Sequence, residues 1–181
     1  APLRDKVELN IEGDPRPEWL ELVCEVKPHQ ATLVPVTPGE ITSHAGWSED
    51  TPADTIKDKV AKLHHAGIRV SLFVDPQPEP IRWAKKMGAD RVELYTEPYA
   101  EAFVRGGSDL DQIYRQYLVA AELAHTLNLG INAGHDLDLN NLVQFRHLPH
   151  LAEVSIGHAL ISRALFVGLE TVVREYLTLL G

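Results

Sequence analysis

The chain has 181 residues, 44% hydrophobic and 24% charged, which suits one soluble globular domain with a proper core. Its formal net charge of −9 argues against a nucleic-acid partner, which calls for a basic excess to neutralise phosphates, but leaves small anionic substrates open because a local field can oppose the net charge. The single cysteine, Cys24, rules out an intrachain disulfide and a Cys-based metal cluster and fits a reducing cytoplasm. No apolar run approaches the ~20 residues of a membrane span, and the charged start Ala1 to Asp5 lacks a signal-peptide core.

In chain order, Val7 to Ile11 reads as a strand and Glu18 to Lys27 as a helix, with Trp19, Leu22, Val23 and Val26 on one face. Ala31 to Val34 is the next strand, stopped by Pro35. Thr37 to Pro52 is a loop, long for a strand-to-helix link and therefore a candidate lid. Ala53 to Ala66 is a helix with Ile56, Val60 and Leu63 inward, ended by Gly67. Ile68 to Val74 is a buried strand, Glu79 to Met87 a helix ended by Gly88, and Arg91 to Tyr95 a strand. Tyr99 to Gly107 reads as irregular, with room for a short helix. Leu110 to Leu127 is a long helix, burying Ile113, Tyr117, Ala120, Ala124 and Leu127. Leu129 to Ala133 is a strand, Leu139 to Arg146 a short helix, Glu153 to Ile156 a strand, and Leu160 to Leu180 one closing helix.

Strands alternating with helices imply a parallel sheet covered by helices, in one domain over residues 1–181. Two architectures compete. A doubly wound sheet often carries a Gly-rich phosphate loop after its first strand, but Glu12-Gly13-Asp14-Pro15 is no such loop. A (β/α)8 barrel carries its chemistry at the C-terminal strand ends. Here those ends repeatedly hold polar residues: Asn10 and Glu12, Asp75, Glu93 and Thr96, Asn132 and His135, Ser155 and His158. Any one of them serves equally well as a helix cap; their recurrence favours the barrel.

Three of these ends can carry chemistry. Asn10 and Glu12 lie two apart on a strand and share a face. A carboxylate held there away from bulk water has a raised pKa and suits a general base, although a rim carboxylate paired with Lys or Arg is the simpler reading. Asn132-Ala133-Gly134-His135 delivers a histidine, which titrates near neutrality, to a strand end. Gly157-His158 follows the last strand and precedes a helix, where backbone amides commonly hold phosphate. His135 and Asp136 are possible metal ligands, but no third ligand stands at a suggestive spacing, so no metal is expected. His64 and His65 are expected to be solvated.

Taken together, Asn10-Ile11-Glu12, Lys27-Pro28-His29, Leu33-Val34-Pro35 with Glu40-Ile41-Thr42, Val70 to Asp75, Asn132 to His135 and Ile156 to Ala159 resemble the pyridoxine 5′-phosphate synthase family, in order and with compatible spacing from about Val7 to the C-terminus. The resemblance implies a cytoplasmic (β/α)8-barrel enzyme, usually octameric, that uses no cofactor. It would condense 1-deoxy-D-xylulose 5-phosphate with 3-amino-2-oxopropyl phosphate to pyridoxine 5′-phosphate, inorganic phosphate and water. By motif, Glu12 matches the family's general base and His135 its proton donor. Glu93 matches a carboxylate that stabilises charge. Thr42, Asp136, Gly157 and His158 match substrate contacts, the last two binding phosphate.

Two departures accompany the resemblance. The family's first two strands, with further phosphate ligands and another catalytic His, have no counterpart here, so the chain is expected to hold the C-terminal three quarters of the barrel. The family often has Gly where this chain has Asp136; a backbone N–H contact survives the change, but a carboxylate beside phosphate repels it unless it points away. The alternatives are another phosphate-binding barrel, a lyase or an epimerase, or a truncated barrel without activity.

Overall fold

The computed structural model describes residues 6–36, 39 and 43–181. Among them, six parallel strands alternate with helices: β1 (Asn10–Gly13), α1 (Pro17–Val26), β2 (Gln30–Leu33), α2 (Ala53–His65), β3 (Arg69–Val74), α3 (Pro78–Met87), β4 (Arg91–Tyr95), α4 (Glu97–Arg105), α5 (Ser108–Thr126), β5 (Gly130–Gly134), α6 (Leu142–Phe145), β6 (Leu151–Ser155), α7 (His158–Val167) and α8 (Leu169–Leu180). The strands lie side by side in chain order. A doubly wound sheet would reverse its order at a switch point, so that alternative is set aside.

The sheet is curled. Gln30 Nε2 on β2 donates to Glu153 Oε2 on β6 across 3.4 Å. These strands are four places apart. In a flat sheet that is roughly 19 Å between backbones, more than the two side chains can span. The curl makes a half-barrel with two chemically distinct faces. Ala31, Leu33, Val70, Leu72, Val92, Leu94, Ile131 and Ala133 are fully buried on the convex side. They form one core with residues of the surrounding helices, including Ile56, Val60 and Leu63 of α2 and Tyr117, Ala120 and Ala124 of α5. The alternate residues, Gln30, Thr32, Ser71, Glu93 and Asn132, face the concave side, buried and polar. Val34, Phe73 and Tyr95 form a separate small apolar cluster on that side.

Local signals set most element ends. Proline at the first helical turn opens α1, α3 and α4, where a missing N–H costs nothing. Gly88 closes α3 at φ 88°, a conformation that penalises a Cβ. Several expectations need correction. On α1, Leu22 and Val26 are exposed, and Leu20 and Val23 carry the burial. The segment expected to be irregular is the regular helix α4, started by Pro98 and packed through Tyr99, Ala100 and Ala102. The short helix after β5 is only the four residues of α6. The expected single closing helix is two, broken at Gly168, whose φ of 85° does not continue a helix. His64 is exposed, as expected, and also meets Asp90 at 2.8 Å. No helix among the described residues is long and apolar enough to cross a membrane.

Candidate active site

The floor of the concave side is a polar lattice. Arg69 Nε donates to Gln30 Oε1 at 2.8 Å, and its guanidinium also pairs with Glu8. Arg91 Nη1 donates to Asn132 Oδ1 at 2.8 Å and lies 3.6 Å from Glu153 Oε2. The same Glu153 oxygen accepts from Asn132 Nδ2 at 3.2 Å. Gly130 makes room for this arrangement, since a Cβ there would stand 2.7 Å from the Arg91 side chain.

Above the floor are the strand-end carboxylates. Glu12 lies on the concave side of β1 and is open to the cavity. The protein packed around it and the negative charge of Glu153 still push its pKa above the ordinary carboxylate range. The expected alternative, a rim carboxylate held by Lys or Arg, finds no such ion pair among the described residues. Glu93 on β4 is 1% exposed. Burial first, then the charges of Glu12 and Glu153, raise its pKa to about 8, against the opposing hydrogen bonds of Ser155 and Thr32. Its Oε2 has no hydrogen-bond partner among the described residues. Glu93 therefore favours its protonated form at neutral pH and offers an acid beside Glu12.

His135 is positioned by its backbone. It and Asp136 have φ of 89° and 57°, uncommon for residues with a Cβ. Thr96 holds this turn, donating through Oγ1 to the carbonyl of Gly134 at 2.7 Å and also contacting that of His135. Asn141 Nδ2 donates to the Asp136 carbonyl at 2.9 Å. Asn141 is fixed in turn by Asp138, whose Oδ1 accepts from its N–H. The His135 ring stands edge-on to Tyr95 with centroids 5.1 Å apart, and its Nδ1 lies 3.2 Å from Asp136 Oδ2. Glu97, at the start of α4, completes a trio with His135 and Asp136 whose ligand atoms lie within 4.8 Å of one another. That is a donor set able to hold a cation, and it supplies the third group that sequence spacing did not show.

Glu12, Glu93, His135, Asp136, Gly157 and His158 all line one concave cavity of about 610 Å³. Gly157 precedes α7, and a Cβ there would meet nothing. The first amides of this ten-residue helix have no intrahelical acceptor and suit an anion. Thr42 lies outside the described residues; Ser43 beside it lines the cavity. The loop that follows is fastened to the sheet. Trp47 Nε1 donates to the Leu33 carbonyl at 2.9 Å, and its backbone N–H donates to Phe73 at 2.8 Å. Sequence reasoning missed Glu97, Glu153 and the apolar wall of Phe73 and Tyr95. Strand alternation points to Phe73, Tyr95 and Glu153, whereas nothing in the sequence links Glu97 to His135.

The family model for pyridoxal phosphate biosynthesis protein PdxJ matches residues 3–181. The chain belongs to this family. It is 51% identical over 172 residues to pyridoxine 5′-phosphate synthase of Bacteroides fragilis (strain YCH46), covering 94% of this chain and 71% of that protein. The Christiangramia forsetii protein of the same name is 49% identical over 174 residues, covering 96% of this chain and 72% of the relative. Membership of the PdxJ family places the chain in vitamin B6 biosynthesis as an enzyme of the synthase type, as its sequence motifs implied. Among solved structures, one described as native KDPGal aligns with a TM-score of 0.60 at 14% identity, covering 98% of this chain and 72% of that one. The citrate synthase SbnG aligns at 0.56 and 13%, covering 98% and 75%. At such identities the likeness speaks for the fold alone.

Proposed function

We propose that the chain forms six of the eight strands of a (β/α)8 barrel. We further propose that its cavity condenses 1-deoxy-D-xylulose 5-phosphate with 3-amino-2-oxopropyl phosphate, giving pyridoxine 5′-phosphate, inorganic phosphate and water. The observation that carries this reading is the convergence of Glu12, Glu93 and His135 on one cavity that also contains the N-terminus of α7. The condensation requires imine formation, proton abstractions, phosphate loss and ring closure, and each of these steps is assisted by positioned acid–base groups. Glu12 takes protons from carbon, His135 gives them to departing oxygens, and the amides around Gly157 and His158 hold a substrate phosphate. Glu93, being protonated, works as a hydrogen-bond donor to developing negative charge. Asp136 borders the substrate through its backbone, with its carboxylate drawn toward His135.

The reading includes self-association. Leu165 and Phe166 on α7 are 82% and 89% exposed, an apolar surface of the kind that subunits bury against one another. The direct test supplies both phosphates to the protein and follows pyridoxine 5′-phosphate by fluorescence and mass spectrometry. Product formation is expected. Turnover of other sugar phosphates by cleavage or epimerisation, with no pyridoxine 5′-phosphate, would replace this reading with that of a lyase or an epimerase.

A further inference from the structure

One acidic group in the cavity floor has no part in the proton transfers just described. The Glu153 carboxylate is fixed by three donors from three other strands, all converging on Oε2. They are Asn132 Nδ2 of β5 at 3.2 Å, Gln30 Nε2 of β2 at 3.4 Å and Arg91 Nη1 of β4 at 3.6 Å. Two hydrogen bonds and an ion pair on one oxygen hold the side chain in place. Glu153 also shares a row with Glu93. In register, Glu93 lies beside Asn132, and Asn132 beside Glu153, on three neighbouring strands. Glu93 and Glu153 thus stand two strands, roughly 10 Å, apart on one face, near enough for like charges to repel across a buried floor.

The groups around Glu93 are unevenly matched in charge. β1 brings Glu12, and β2 brings only the uncharged Gln30 and Thr32. Arg69 of β3 is engaged by Gln30 and Glu8. Arg91, on Glu93's own strand, is engaged by Asn132 and Glu153. His135 stands beyond the end of β5, against Tyr95 and Asp136. Glu93 is thus buried with two negative neighbours and with both nearby guanidinium groups committed elsewhere. Of the two, Glu12 acts on it more strongly. Glu12 changes its own charge whenever it takes up or releases a proton, whereas Glu153 takes no part in those transfers.

We propose that Glu153 is a positioning residue whose fixed negative charge keeps the Glu93 carboxyl protonated throughout the reaction. Burial and the Glu153 charge then both favour a carboxylic acid at Glu93 in either state of Glu12. This rests on the reading of Glu12 and Glu93 as an acid–base pair, but its test does not need turnover. The Glu side-chain carboxyl carbons of the 181-residue chain are labelled with ¹³C and titrated by NMR, the Glu93 signal being the one lost in Glu93→Gln.

In Glu153→Gln the Glu93 midpoint is expected to move to lower pH. In Glu153→Asp, which keeps the charge, it is expected to stay nearer that of the unsubstituted protein. If Glu153→Gln fails to fold, the smaller Glu153→Ser, which admits water to the groups that faced the carboxylate, is titrated in its place, and the same downward shift is expected. A folded variant lacking the Glu153 charge with an unmoved Glu93 midpoint overturns the proposal. Where turnover is measurable, the alkaline limb of the pH–rate profile moves down with the midpoint; a lower rate on an unshifted profile marks a structural role only. A shifted midpoint in a protein that makes no pyridoxine 5′-phosphate would leave the coupling standing and remove the assigned reaction.

Discussion

Gly134 and Glu93 fit against each other with no space between them: a Cβ on Gly134 would stand 2.3 Å from Glu93 Oε1 and 2.9 Å from Ser155 Cβ. The Glu93 side chain is buried and cannot swing aside into water. Gly134→Ala is therefore expected to cost about 1–3 kcal/mol, the usual penalty for overpacking. A lowered Cm in urea with an unchanged m-value would show it. An unchanged Cm would mean that the carboxyl moves freely.

Glu12→Gln keeps the size of the side chain and removes its basicity. Turnover is expected to fall by about 10²–10⁴-fold, the range supplied by a positioned general base. The melting temperature should hold or rise, since the substitution also removes a charge that Glu153 disfavours. Normal turnover would end the assignment of Glu12 as base.

Glu93 makes stability depend on pH. Its carboxyl titrates near 4.5 in the unfolded chain and about 8 in the fold. As pH rises between these values the unfolded state gives up the proton first, so the native state loses relative stability across that window and levels off above it. In Glu93→Gln the decline between about pH 5 and pH 8 should be shallower. Calorimetric melts at several pH values test this, and parallel curves for the two proteins would refute it.

Asn141 is 4% exposed and holds the turn that presents His135, donating to the Asp136 carbonyl at 2.9 Å and accepting from the Asp138 N–H at 2.9 Å. Asn141→Ala leaves both partners unsatisfied, at a cost of about 1–3 kcal/mol. The positive φ of His135 and Asp136 would relax, so kcat should fall more than KM rises. A KM effect alone would place Asn141 in substrate binding.

Leu165→Glu and Phe166→Glu are expected to lower the oligomeric state without lowering the stability of the subunit, because both side chains are exposed within it. Light scattering after size exclusion reads the mass. An unchanged mass in both variants would move the subunit contact elsewhere.

Much of this arrangement was legible from residue order. Alternation within strands separates Val70, Leu72 and Val74 from Ser71 and Phe73, so strand identity and facing follow directly. Glu12, Glu93, His135 and His158 were readable as strand-end groups because a parallel sheet brings its C-terminal ends to one rim. What remained hidden was non-local or depended on torsion. Glu97 reaches His135 only because α4 starts beside that rim, and that helix was hard to foresee in a segment bounded by Pro98 and Gly106. The break at Gly168 is a single-residue torsion inside an otherwise continuous apolar pattern. The raised pKa of Glu93 depends on burial and on the charges of Glu12 and Glu153, which are brought together across strands.

The bond between Gln30 and Glu153 joins residues 123 apart in sequence. A growing chain has therefore made β2, β3, β4 and β5 before the residue that ties them together exists. Until β6 docks, the Arg91 guanidinium and the Asn132 amide lack the Glu153 carboxylate they share, and the tie across the curl from Gln30 is missing. Contacts of such sequence separation are slow to close and come late in folding. The catalytic hollow is thus completed only when nearly the whole chain is in place.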